Sequence, residues 1–116
     1  MVKLKRVYDP VSKDDGKRVL VDRLWPRGVK KDEARIDEWL KEVAPSDELR
    51  RWYGHDPSKW EEFRKRYLAE LKGKSDLVAR LRREKNKGTL TLLFAAKDEA
   101  RCNAAVLREV LSPKGT

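Results

Sequence analysis

Residues Val19 to Gly28, VLVDRLWPRG, open on three consecutive apolar side chains and end in a charged turn stiffened by proline. A strand with one solvated face alternates apolar and polar residues, whereas a strand covered on both faces reads as a continuous apolar run. Val19-Leu20-Val21 is of the second kind. The spacing predicts a strand over Arg18–Asp22 lying inside a parallel sheet.

The rest of the chain extends that frame. Val2 to Tyr8 reads as a first strand ended by Asp9-Pro10. Ser12 to Gly16 fits one helical turn, with Ser12 capping and Gly16 closing it. Ile36, Trp39, Leu40 and Val43 recur at helical spacing and predict a helix that Pro45 ends. Ser46 caps a short helix carrying Leu49, Trp52 and Tyr53, which closes at Gly54. Asp56 caps a third, with Pro57 at its first position and Trp60, Phe63, Tyr67 and Leu71 along one stripe. A fourth runs from Ser75 to Lys85 with Leu77, Val78 and Leu81 inward, and Asn86-Lys87-Gly88 forms a turn. Thr89 to Ala95 is the third strand, and a last helix aligns Ala100, Ala104, Leu107 and Leu111. The expected fold is α/β: a small, mainly parallel three-stranded sheet covered by helices in a three-layer, Rossmann-like arrangement. With 116 residues, no internal repeat and no shift in composition, the chain is expected to form a single domain over 1–116.

Composition narrows the setting. No apolar run approaches the roughly 18 residues of a membrane span, so no membrane partner is expected. The start of the chain lacks the apolar core of a signal peptide, and one cysteine, Cys102, permits no internal disulfide. A reducing cytoplasm suits both features. Charged residues make up 42% of the chain, Gln is absent and Asn occurs only at Asn86 and Asn103, a balance that favours a thermophilic source. The net charge of +9 leaves nucleic acid open as a partner. Much of that charge is interleaved with acids, as where Glu61 precedes Lys65 and Glu62 precedes Arg66 by four residues.

In open α/β sheets ligands bind beyond the carboxyl ends of the strands. Those ends carry Tyr8-Asp9, then Asp22-Arg23 with Trp25 and Arg27, then Lys97-Asp98. Trp39, Trp52 and Trp60 fall on helical stripes and read as core. Trp25 falls on none, is held extended by Pro26, and precedes an arginine offered just before a free-turning glycine. This is either a rigid loop presenting an aromatic wall and a guanidinium to an anion, or a lid whose arginines pair with nearby acids. His55, the only histidine, is either a group able to move a proton near neutral pH or a helix-entry residue bonded to backbone. Asp98 is the natural cap of the last helix. Cys102 in that helix's first turn is either a thiolate stabilised by Lys97 and Arg101 or a small semi-buried apolar residue. A lone histidine and a lone cysteine do not build a zinc site, so no metal is expected. Walker A, GxGxxG and GxSxG motifs are absent, and no cofactor is expected.

Three segments carry a family resemblance: RVLVDRLWPRG, WLKEVAPSDELRRWYGHDPSKWEEFRKRY and LTLLFAAKDEARCNAAVLREVL. Together they resemble the YeaO-like proteins, the short branch of domain-of-unknown-function family 488, from Lys5 to Leu111. The resemblance implies a small cytoplasmic α/β domain without an assigned reaction. It singles out Asp22 to Gly28 except Leu24, then Gly54 to Pro57, Lys97 and Asp98. Where the short branch usually carries His-Asn, this chain has Arg101-Cys102.

The combined expectation is a polar site binding an anionic or phosphorylated small molecule or nucleotide. Arg23, Arg27, Lys97 and Asp98 surround it and Trp25 walls it, with Asp22 and His55 as the acid/base pair if the domain is an enzyme. The alternatives are a nucleic-acid module, with the arginines on phosphates and Trp25 stacked on a base, and a protein-interaction domain anchored by Trp25.

Overall fold

The computed structural model describes residues 1–113. Four parallel strands form one sheet: β1 (Val2–Arg6), β2 (Lys17–Leu20), β3 (Glu38–Trp39) and β4 (Leu90–Phe94), in the spatial order β1-β4-β2-β3. The helices are α1 (Lys31–Ala34), α2 (Asp47–Tyr53), α3 (Trp60–Lys72), α4 (Ser75–Lys87) and α5 (Asn103–Leu111). Because β4 pairs parallel with both β1 and β2, all three of these strands send their carboxyl ends to the same edge.

Alternation along the central strands sorts side chains to two faces. Val19, Val21, Leu90, Leu92 and Phe94 pack with Phe63, Tyr67 and Leu71 of α3, Val78 and Leu81 of α4, and Leu107 and Leu111 of α5. On the other face, Val7, Leu20 and Leu93 pack against Ala34, with Trp25, Val29, Ile36 and Trp39 around them. The longer helices therefore supply one covering layer. The second is thinner, made of α1 and the loop that carries Trp25. Both faces are closed, and Val19, Leu20 and Val21 are all fully buried.

Next to the second cluster lies a buried ion cluster. Asp15, fully buried, accepts from Lys3 Nζ at 2.9 Å, Lys5 Nζ at 3.1 Å and Arg18 Nη1. Arg18 also donates to the carbonyls of Ala34 and Arg35. Ser12 and Asp15 form a reciprocal capping box, which places Asp15 over the sheet. Gly16 follows at φ 61°, where a Cβ would stand 2.1 Å from the Thr89 carbonyl oxygen.

Three expectations are corrected. The sheet has four strands rather than three, since Glu38–Trp39 pairs with β2. The helix expected over Ile36 to Val43 does not form. β2 has an open edge, and its carbonyls at Arg18 and Leu20 accept from Asp37 N–H and Leu40 N–H, both at 2.9 Å. The Asp37 carboxylate closes the arrangement by accepting from Arg18 N–H at 2.8 Å. Those bonds outweigh the helical spacing, leaving a short 3₁₀ turn at Lys41–Val43. Trp39 accordingly packs beside Trp25 and not on a helical stripe. Finally, α5 starts at Asn103, so Ala100 lies outside it and Asp98 is not its cap. Asp98 spends one carboxylate oxygen on Ala100 N–H and Arg101 N–H in a local turn.

Among the described residues, no helix is long and apolar enough to cross a membrane.

Candidate functional site

Beyond the last residue of β2 the ladder continues one step, with Val21 N–H donating to the Leu93 carbonyl at 3.1 Å. Asp22 then leaves the sheet. One carboxylate oxygen accepts from Ala95 N–H at 2.8 Å and the other from Asn103 Nδ2 at 3.3 Å. Asn103 also donates to the Val21 carbonyl at 2.9 Å. Asp22 thus ties the diverging ends of β2 and β4 to the first residue of α5. Burial raises its pKa, against the hydrogen bonds from Ala95 and Asn103 and the nearby charge of His55.

The following loop is pinned at several points. Arg23 Nε donates to the Pro45 carbonyl at 2.9 Å, so this guanidinium is largely committed to holding the turn before α2. Trp25 Nε1 donates to the Val29 carbonyl at 2.8 Å, and its ring meets Trp39 edge-on at 5.4 Å. Trp39 Nε1 in turn donates to the Asp22 carbonyl at 2.7 Å. Tyr8 from the end of β1 donates to the Arg27 carbonyl at 3.0 Å. Gly28 allows the return at φ 77°. With its backbone fixed from both sides, the loop leaves the Arg27 side chain exposed.

The opposite wall comes from α2. Ser46 caps it through Leu49 N–H at 3.1 Å, and Gly54 ends it in the left-handed region. His55 also has positive φ, 57°, which turns the chain sharply beside the cavity. Tyr53 stacks on Phe63 at 4.2 Å and donates to the Arg101 carbonyl at 2.9 Å. Arg50 and Arg51 lie on the same helix, and the Nε of Arg50 is buried without a hydrogen-bond partner.

These elements enclose a cavity of about 520 Å³ at the carboxyl ends of β1, β2 and β4, a size suited to a small organic ligand. Asp22, Arg23, Trp25, Arg27 and His55 all line it. Lys97 and Asp98 do not line it, although they follow β4 at the same sheet edge. Their side chains stand on the exposed turn before α5. His55 and Asp22 share the cavity without a hydrogen bond between them. Cys102, at the position preceding α5, is buried, and burial pushes its thiol up to about 11. That shift disfavours the thiolate, the form a nucleophilic cysteine needs. Among the described residues no group of three or more His, Cys, Asp or Glu side chains is placed to hold a metal ion.

A family model described as the inactive DUF488-N3 subclade matches residues 1–115. The chain belongs to that family. Within the DUF488 relatives it is 46% identical over 111 residues to an uncharacterized protein of Mycobacterium tuberculosis, covering 96% of this chain and 93% of that one. It is also 46% identical over 110 residues to the uncharacterized protein YeaO of Escherichia coli, covering 95% and 96%. No solved structure gives a significant match. In this member of the DUF488-N3 subclade the cavity draws on residues that the strand-end argument passes over: Arg50 and Arg51, Tyr53 and Asn103. Only the packing of α2 brings the two arginines to the cavity. They occupy the last turns of a helix that ends in the Gly54-His55 turn, and that turn faces the Asp22 loop.

Proposed function

We propose that this chain, folded as a single cytoplasmic domain, binds an anionic or phosphorylated small molecule or nucleotide in the cavity between the Asp22 loop and α2. One observation carries the proposal: cationic capacity in the cavity is left unused by the protein. Among the described residues, the exposed Arg27 and Arg51 make no ion pair or hydrogen bond through their side chains, whereas Arg50 pairs with Asp47 through Nη2 at 3.4 Å. An exposed guanidinium without an internal partner can take an anionic oxygen in a charge-assisted hydrogen bond. Arg23 serves by positioning the Pro45 turn, and Trp25 by forming a wall.

A binding role is supported over catalysis on two grounds. Among the described residues no hydrogen bond from Asp22 orients His55 as a base, and the family description is that of an inactive subclade. A small ligand is supported over nucleic acid because Trp25 is engaged with Trp39 and Val29, so its ring is not a free stacking platform. The test is titration calorimetry with ribose 5-phosphate, using uncharged ribose as control. Wild type should bind the phosphate and ignore ribose. Arg27→Ala should weaken binding about tenfold or more, the scale of a lost charge-assisted hydrogen bond. It should change stability by less than about 1 kcal/mol, as for an exposed residue. Equal binding by the variant, or none by wild type, would refute the proposal.

A further inference from the structure

The cavity is not uniformly cationic. Asp22 shares it with four arginines, yet among the described residues no cation forms an ion pair with its carboxylate. Each of its oxygens takes one hydrogen bond from the protein. A carboxylate oxygen has two acceptor positions, so each keeps one free. Asn103 points its amide nitrogen at Val21 and Asp22, which leaves its Oδ1 as a further acceptor. The half-buried end of the cavity therefore offers paired acceptors, while the exposed side offers Arg27 and Arg51. Tyr8, Trp25 and Tyr53 also line the space.

A ligand that satisfies this arrangement carries two adjacent hydrogen-bond donors on a flat ring at one end and a phosphate at the other. We infer that the ligand class is a guanine nucleotide, whose base turns N1–H and the exocyclic amine toward Asp22 while its phosphate meets Arg27 and Arg51. The inference rests on the anion-binding reading of the same cavity. Adenine places a ring acceptor beside its single exocyclic donor. Turned toward Asp22, it would face one acceptor with another and leave a buried polar group unpaired. A volume of about 520 Å³ accommodates one mononucleotide.

The experiment is a titration of the full chain with GMP, AMP and ribose 5-phosphate, repeated on Asp22→Asn, with thermal unfolding as the folding control. GMP should bind at least about tenfold more tightly than AMP or ribose 5-phosphate. Asp22→Asn presents one donor and one acceptor where two acceptors stood, so it should lose the preference for GMP and keep the weak affinity for ribose 5-phosphate. Equal binding of all three probes by wild type would overturn the guanine assignment and leave anion binding standing. Preference for AMP would do the same. Binding of none of the three would remove the anion-binding reading and this inference with it. The wild-type ratio of GMP to AMP decides the matter even where the variant fails to fold.

Discussion

Asp15 and Asp22 are two half-buried or buried carboxylates whose neighbours drive them in opposite directions. At Asp15, burial alone would raise the pKa, but hydrogen bonds from Lys3, the Ser12 backbone, Lys5 and Arg18 outweigh it and hold the carboxyl well below the usual range. The folded state then binds fewer protons than the unfolded chain as pH falls. The stability contributed by Asp15 is complete above the ordinary carboxylate pKa of about 4 and is lost as pH drops toward its folded value. At Asp22 the pKa is raised, mainly by burial, so its sign is reversed: the folded state binds more protons, and its cost to stability grows as pH rises through about 4. Asp15→Asn leaves three cations facing an uncharged amide and should lower stability by roughly 3–5 kcal/mol at pH 7. Urea unfolding of wild type and variant at pH 7 and at pH 3 checks this, and the gap should shrink at pH 3. A gap that is the same at both values would mean that the ionised form of Asp15 contributes nothing.

The elements differ in how far their boundaries depend on distant partners. The turn at Ser12–Gly16 is local in its caps, but its placement against β4 is tight enough to test. Gly16→Ala would drive a Cβ into the Thr89 carbonyl at a positive φ, and should destabilise by well over about 1 kcal/mol. Melting temperatures of the two proteins check it, and an unchanged value would show that the turn moves freely off β4. The same contrast explains what was legible in the sequence. β2, β4, α2 and α3 could be read because their signals are short-range: a continuous apolar run, a cap residue with a closing glycine for α2, and the stripe of Trp60, Phe63, Tyr67 and Leu71 for α3, whose expected cap Asp56 instead caps the 3₁₀ turn Pro57–Lys59. β3 could not. It is a two-residue strand created by the open edge of β2, and nothing in Glu38-Trp39 itself announces a strand. The ion pairs from Glu38 to Lys17 and Arg80 then hold it in place. The start of α5 was misplaced for a similar reason, since Asp98 caps a local turn that competes with the helix. Of the candidate site, the Asp22 loop and His55 were legible through the strand-end rule and the Trp25-Pro26 stiffness. Arg50 and Arg51 were not, because their part in the cavity depends on how α2 packs against α3.

Across the whole molecule, one ordering principle links the fold to the site: parallel strands deliver Tyr8, Asp22 and Ala95 to a single edge, and α2 closes the space above them. The basic charge follows a different logic. Several cations are absorbed by carboxylates, as in Arg66–Glu62 at 2.8 Å, Arg64–Glu109 at 2.9 Å and the cluster around Asp15. The excess that stays unpaired in the cavity is what the proposed ligand uses. Amide chemical-shift mapping on the uniformly ¹⁵N-labelled chain, titrated with ribose 5-phosphate, tests this most directly, because it reports where the ligand sits as well as whether it binds. Shifts should concentrate on Asp22–Gly28, Arg50–His55 and Ala95-Ala96, with the backbone of α4 unchanged. Shifts spread along the basic side chains of α4, or no shifts at the Asp22 loop, would contradict a binding site at the strand ends.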